Sequence, residues 1–422
     1  MLLHQVKLPH FKHSAESETV KLPMPDKVVI SMAQHLGAPC TPTVKVGDKV
    51  KIGDVIGSSE AAMSAPVHSS ISGTVTAITD VLHISGRNMQ SVVIENDGLE
   101  QISDSVCPPT VENREQFLQA VRNSGSIGLG GAGFPTSLKL GFDPKEKQPD
   151  FLIINGAECE PYITSDYRCF MEEGEDVLEG VLLMLKYLGI PKCVIGIEKN
   201  KPKAIEKMTR LCEKHDNITV KPLKSSYPQG AEKTLIFSTT GRVVKEGTLP
   251  LASGCIVINS STAAFIAQYI RTGMPLVKRR ITVDGNIVKK PSNFIVPVGM
   301  SIGEIVYYAE LSDKPDRIIL GGPMMGACAF DPDYPLSKTN NAVLMFADSP
   351  VYEPSDCIRC GKCVKACSMN LLPTELEHAF DMRDARQLEK LKVNLCVNCG
   401  ACSFVCPAKR NLAEKNQLAK AF

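Results

Sequence analysis

Two stretches near the C-terminus repeat one arrangement of cysteines. The first is Cys357-Ile358-Arg359-Cys360-Gly361-Lys362-Cys363-Val364-Lys365-Ala366-Cys367, and the second is Cys396-Val397-Asn398-Cys399-Gly400-Ala401-Cys402-Ser403-Phe404-Val405-Cys406-Pro407. Each reads C-x2-C-x2-C-x3-C, and together they take eight of the sixteen cysteines. Three closely spaced thiolates can grip three irons of a 4Fe–4S cubane, while the fourth cysteine reaches the neighbouring cubane. By that crossover rule Cys357, Cys360, Cys363 and Cys406 hold one cluster, and Cys396, Cys399, Cys402 and Cys367 hold the other. Zinc also takes thiolates, but its ribbons use cysteines in pairs, not in threes with a trailing fourth. Ser368 follows Cys367 where proline is common, a small departure. Two cubanes move electrons one at a time.

A second chemical stretch is Ser126-Ile127-Gly128-Leu129-Gly130-Gly131-Ala132-Gly133-Phe134-Pro135-Thr136-Ser137-Leu138-Lys139. It contains G-x-G-x-x-G, but the dinucleotide fingerprint must follow a strand and open a helix. Here a helical pattern precedes it and Phe134-Pro135 follows at once, so the Rossmann reading is rejected. A glycine-dense loop still lets backbone N–H groups crowd around a phosphate, and Lys139 adds a charge; an ordinary tight loop is the other reading. Asn155-Gly156-Ala157-Glu158-Cys159-Glu160-Pro161 ends the apolar run Phe151–Ile154. Ligands of α/β folds gather at such strand ends, where two carboxylates can bind ribose hydroxyls. The alternative is a solvated loop.

These groups need a scaffold. A chain of 422 residues, 43% of them hydrophobic, supports about three domains of ~150 residues. A net charge of +1 gives no strong attraction to nucleic acid or to a membrane surface. No run of 18 apolar residues is present, so no membrane span is expected, and the start Met1-Leu2-Leu3-His4 lacks the pattern of a signal peptide. The other cysteines (Cys40, Cys107, Cys159, Cys169, Cys193, Cys212, Cys255, Cys328) lack paired spacing and read as reduced, mostly buried thiols.

Residues 1–25, with His4, His10 and His13, read as a solvated arm. From 26 to 97 period-2 patterns and the repeated Gly47-Asp48 and Gly53-Asp54 turns indicate a small all-β unit. The pattern is similar to biotinyl/lipoyl-type hybrid barrels, but Ala62, Met63 and Ser64 stand where the modified lysine would be, which makes it a scaffold. Asn113 and Gln116 signal a helix start after the linker at Pro108-Pro109. Residues 113–275 alternate helices with the apolar runs 151–154, 193–197 and 255–258, the pattern of an α/β domain. Residues 276–330 return to β character, and a mainly helical cluster module occupies 350–422, with a helical stretch from Pro373.

Gly128 to Lys139 and Asn155 to Pro161 resemble the flavin- and NADH-binding loops of the NADH-oxidising subunit of complex I, which read approximately G-R-G-G-A-G-F-P-T-G-L-K and N-A-D-E-S-E-P. The order of the whole chain is closer still to the C subunit of Rnf electron-transport complexes. That resemblance implies a multidomain α/β protein. Its parts are an N-terminal arm and hybrid barrel-sandwich domain (1–97), an FMN- and NAD(H)-binding α/β domain (113–275), a β-grasp ligand-binding unit (276–330) and a helical two-cluster ferredoxin domain (350–422). It implies that Gly128, Gly130, Gly131 and Lys139 hold the FMN phosphate region and that Asn155 contacts the flavin. Phe134, Glu158 and Glu160 would face NAD(H). Tyr227-Pro228-Gln229-Gly230-Ala231-Glu232 is similar to a Y-x-x-G-x-E segment lining the same cleft, with Gly230 toward FMN and Tyr227 and Glu232 toward NAD(H). Asn259-Ser260-Ser261-Thr262 is similar to an FMN-side N-x-x-T loop. Leu129 replaces an arginine of the complex I loop, Ala157 an aspartate and Ile258 an asparagine, so the flavin contacts have fewer polar groups.

Hydride carries two electrons and clusters take one, so a flavin with an accessible one-electron state is the usual converter. The resemblance implies electron flow between NAD(H), FMN and the two clusters, in a peripheral subunit on the cytoplasmic face of the cell membrane. Its partners would be membrane-embedded and ferredoxin-like subunits of an ion-translocating ferredoxin:NAD+ oxidoreductase, and ferredoxin indirectly. Two other readings are a non-catalytic electron wire and a cobalamin reductase, although that family usually carries its hybrid barrel late.

Overall fold

The computed structural model describes residues 4–422. The central unit is a parallel sheet in the order Ile218–Leu223, Lys192–Glu198, Phe151–Gly156, Cys255–Asn259. Its strands Lys192–Glu198, Phe151–Gly156 and Cys255–Asn259 carry short apolar runs because both faces are covered, while the edge strand Ile218–Leu223 is mixed and partly exposed. Leu152 and Ile154 point into one core with helices Ser165–Leu188, Pro202–Cys212 and Ser260–Thr272. Ile153 points the other way, against Leu235 and Ile236 of helix Glu232–Thr240. Strand alternation thus sorts one run of isoleucines between two layers.

Helices Ser165–Leu188 and Ser260–Thr272 approach at a glycine: a Cβ on Gly180 would lie 2.0 Å from the Ala263 carbonyl oxygen. Only a residue without a side chain permits that contact. Helix Arg114–Asn123 begins as expected, with the Asn113 side chain accepting from the Gln116 N–H at 2.9 Å. Gln116 reaches back to the Glu112 N–H, one residue before the cap.

The N-terminal β unit pairs a sheet in the order Lys27–Ser31, Asn88–Asn96, Gly73–Leu82, Lys49–Val50 with one in the order Thr41–Pro42, Val55–Ser58, Val67–His68. Val28, Ile30, Ile56, Val75, Val92 and Ile94 form its core. The two Gly-Asp turns are structural: Asp48 accepts from the Lys45 N–H and Asp54 from the Lys51 N–H.

A third sheet has the order Val20–Lys21, Ser292–Pro297, Lys278–Gly285, Ala342–Phe346, Arg317–Leu320, Ala327–Cys328. Strand Ala342–Phe346 runs parallel to Lys278–Gly285 and lies beyond the expected limit at 330. The unit must include it, because it joins the hairpin 278–297 to strand Arg317–Leu320. Helix Ile302–Ala309 packs on this sheet through Ile302, Ile305 and Val306. The cluster module is helical as expected, although its long stretch breaks into Pro373–Asp381 and Ala385–Lys390.

The solvated arm is corrected for residues 4–25; residues 1–3 lie outside the described part. Val6 exchanges two backbone hydrogen bonds with Tyr227, and Val20–Lys21 adds an edge strand to the third sheet. Ser14 is fully buried, its hydroxyl 2.7 Å from Thr164 Oγ1, in a network with Thr282 and Asn293. The polar composition of this segment hid its role: its partners come from three distant parts of the chain, and no local periodicity records them. Of the eight scattered cysteines, Cys40, Cys169, Cys193, Cys212 and Cys255 are buried.

Candidate functional site

The glycine loop lies over the C-terminal edge of the parallel sheet, beside Asn259 at the end of its strand. A Cβ on Gly130 would stand 3.3 Å from Asn259 Nδ2. Below its tip the loop is clamped. Gly128 N–H donates to the Phe134 carbonyl at 2.8 Å, and Leu129 N–H to Thr262 Oγ1 at 3.0 Å. The Leu129 carbonyl accepts from the buried Arg279 guanidinium at 2.9 Å. Gly130, Gly131 and Ala132 are exposed, and among the described residues no acceptor takes their N–H groups. Three adjacent free donors on a rigid base suit an anionic oxygen cluster. Lys139 leaves the loop on helix Thr136–Leu140 and pairs with Glu232 at 2.6 Å.

Asn155 and Asn259 end neighbouring strands of the sheet, and both are committed to the fold. Asn155 donates to the Gly230 carbonyl at 3.0 Å and accepts from the Ala157 N–H. Gly230 is tight here, since a Cβ would lie 2.5 Å from the Ala157 carbonyl oxygen. Asn259 caps helix Ser260–Thr272 and donates to Asp166, which also accepts from Ser261 Oγ at 2.8 Å. Arg279 and Asp166 escaped the sequence reading, whereas Thr262 belongs to the N-x-x-T loop it singled out. Arg279 sits in a strand of another sheet, and no spacing links it to the loop.

Glu158, expected to face a nucleotide, is buried. One of its oxygens accepts from the Asp166 N–H at 2.7 Å, and the other has no partner among the described residues. Burial raises its pKa against the pull of Lys12 and Lys201. Lys12 comes from the N-terminal segment and donates to the carbonyls of Glu158, Glu160 and Ile163. Burial lowers its pKa. Three carbonyls match the three N–H bonds of an ammonium, so Lys12 is held charged by its geometry. Glu160 accepts from the Met324 N–H at 3.0 Å, and burial pushes its pKa up to about 7.

Tyr227 is 1% exposed, so it does not line an open cleft. Its hydroxyl donates to the Cys399 carbonyl at 2.6 Å and lies 3.4 Å from Glu160 Oε1. Phe134 is half-buried at the exit of the glycine loop.

Cys367, Cys396, Cys399 and Cys402 line one small cavity in the helical module. Burial, reinforced by neighbouring cysteines, pushes the Cys402 thiol up to about 12 and the Cys399 thiol up to about 11. Such a cavity disfavours bare thiolates and suits a positively charged iron core that displaces their protons. Cys363 and Cys406 pack together with Cys357 near by, while Cys357 and Cys360 are exposed. Among the described residues no three His, Cys, Asp or Glu side chains close to single-ion geometry. A cubane spreads its four thiolates further apart than one ion does.

The C subunit of the Na(+)-translocating ferredoxin:NAD(+) oxidoreductase complex of Acetobacterium woodii is 41% identical over 358 residues, covering 83% of this chain and 81% of its own length. The chain belongs to the family of C subunits of these complexes. The C subunit of the proton-translocating complex of Clostridium ljungdahlii is 40% identical over 91% of this chain and 85% of its own. Residues 3–99 match the RnfC barrel sandwich hybrid domain, residues 121–268 the Nuo51 FMN-binding domain and residues 356–410 a 4Fe-4S dicluster domain. A solved chain of NAD+-reducing [NiFe]-hydrogenase in the H2-reduced state shares the fold at TM-score 0.51 and 19% identity. That likeness covers 73% of this chain and 60% of the hydrogenase chain. No helix among the described residues is long and apolar enough to cross a membrane.

Proposed function

We propose that this chain is the NAD(H)-linked electron-transfer subunit of an ion-translocating ferredoxin:NAD+ oxidoreductase, peripheral on the cytoplasmic face of the membrane. The membrane-embedded and ferredoxin-like subunits of that complex are its partners. FMN, when bound, supplies the conversion between hydride and single electrons. The free N–H groups of Gly130, Gly131 and Ala132 hold its phosphate, with Gly128 as the hinge of the loop and Lys139 beside it. Asn155, Gly230 and Asn259 shape the floor rather than donate to the ring, because their polar groups are already engaged. Phe134, Glu158, Glu160 and Glu232 border the NAD(H) side, where burial raises the pKa of both Glu158 and Glu160. Cys357, Cys360, Cys363 and Cys406 bind one cluster, and Cys367, Cys396, Cys399 and Cys402 the other. In the third sheet, the hairpin, helix and parallel return strand form a β-grasp unit.

The observation that supports this reading is a continuous link from Glu160 of the strand-end loop through Tyr227 to Cys399 of a cluster loop. It joins the two candidate redox regions through buried hydrogen bonds. The test is anaerobic purification with iron, sulphide and flavin analysis, then NADH:ferricyanide activity after adding FMN. Flavin uptake with activity is expected; neither would leave the chain an electron wire.

A further inference from the structure

The two cysteine motifs differ in what surrounds them. The loop of Cys399 packs against the α/β unit: Tyr227 binds its carbonyl, and Ala401, with Ala366 from the end of the first motif, shares a buried cluster with Tyr227 and Leu8. The start of the first motif faces outward, with Cys357 and Cys360 both exposed, while Cys363 and Ala366 turn inward. Around it are three exposed apolar side chains, Val351 at 88%, Ile358 at 68% and Tyr352 at 57%. Arg359, Lys362, Lys365 and Lys409 are exposed among them, against the carboxylates Glu353 and Asp356. None of these four cations has an ion-pair partner among the described residues, whereas nearby Arg410 and Lys415 are tied to Glu377. Lys409 lies 4.3 Å over the Tyr352 ring, so charge and apolar surface are contiguous.

We propose that this face, centred on Ile358 and rimmed by Lys362, Lys365 and Lys409, is the docking surface for an acidic one-electron carrier protein. The proposal rests on the assignment of Cys357, Cys360, Cys363 and Cys406 to one cluster. A cubane in thiolates is itself anionic, and cations near it offset that charge. Charge compensation alone does not require Val351, Tyr352 and Ile358 to stand in water. An apolar centre with a local rim of unpaired cations suits a transient partner of opposite sign, steered by charge and released readily. In each encounter one electron passes between the outer cluster and the partner's redox centre, with no bond made or broken. NADH becoming NAD+ and H+ supplies two electrons and therefore two encounters; the reverse consumes two reduced carriers.

The experiment uses the full chain with both clusters reconstituted, and a small acidic two-cluster ferredoxin as the probe. Affinity is measured at low and high salt for the wild type, for Lys362→Glu with Lys409→Glu, and for Ile358→Ser. Lys145→Glu with Lys147→Glu, on exposed residues of another region, is the control. The wild type should bind more weakly at high salt. The Lys362/Lys409 variant should lose about tenfold or more at low salt and the Ile358 variant should lose affinity at both salts, with iron content unchanged. Unchanged affinity, or an equal loss in the control, overturns the proposal. So does binding only to vesicles of anionic lipid and not to ferredoxin. If Cys357→Ser kept all the iron, the cluster assignment would fall and the proposed electron transfer at this face with it, an outcome read separately from the affinities.

Discussion

The hydroxyl of Tyr227 donates to the backbone carbonyl of Cys399 at 2.6 Å, across a separation of 172 residues. This bond connects the α/β unit to the cysteine motif nearest it. Its other neighbour is Glu160, so the tyrosine bridges a strand-end carboxyl and a cluster loop.

Tyr227→Phe should therefore leave the iron content intact and change the inner cluster alone. One hydrogen bond near a metal ligand is worth ~1 kcal/mol, or roughly 40 mV for one electron. Without the donor the reduced cluster is less stabilised, so its midpoint should fall. Redox titration followed by EPR reads both clusters, and an equal shift in both would defeat the expectation.

Cys360→Ser should remove one cluster and Cys399→Ser the other. Each variant should keep roughly four of about eight irons. Retention of all the iron by either variant would contradict its place in the donor set.

Arg279 holds the glycine loop from beneath through the Leu129 carbonyl and also binds the Asn340 carbonyl. Hydrogen bonds to charged groups contribute about 1.5–3 kcal/mol. Arg279→Met should weaken FMN binding by about tenfold or more, read by quenching of flavin fluorescence, while Arg279→Lys restores part of it. Circular dichroism checks that the Met variant stays folded.

Glu160 should make stability depend on pH. Burial raises its pKa from 4.5 to about 7, while the Met324 N–H, Lys12 and Tyr227 pull it down. The folded chain keeps a proton that the unfolded chain releases near its lower value. This stabilising contribution is full below about 4.5 and is lost as pH rises through about 7. Between roughly pH 6 and 8 it should fall by about 1 kcal/mol, and Glu160→Gln should flatten that slope in thermal unfolding.

Gly180→Val places a side chain where a Cβ already lies 2.0 Å from a backbone oxygen. The helices must separate, at a cost of about 1–3 kcal/mol. A lower melting temperature with unchanged iron content is expected.

Local chemistry was legible. The cysteine spacings, the Asn113 cap, the hydrophobic runs of the parallel strands and the glycine loop each depend on neighbours a few residues apart. The N-terminal segment was not, because Lys12 and Ser14 find their partners about 150 residues away. Glu158 looked like a solvated or ligand-facing carboxylate, since sequence does not record how deeply a polar side chain is buried.

From the sequence alone follow the two four-cysteine motifs, the glycine loop and the order of the units, because these rest on residue type and short spacing. Only the tertiary structure decided that the start of the first cysteine motif faces outward, that Tyr227 serves the cluster loop, and that Arg279 braces Leu129. Those relations arise where separate sheets and loops meet, and they depend on packing in three dimensions that no interval along the chain encodes.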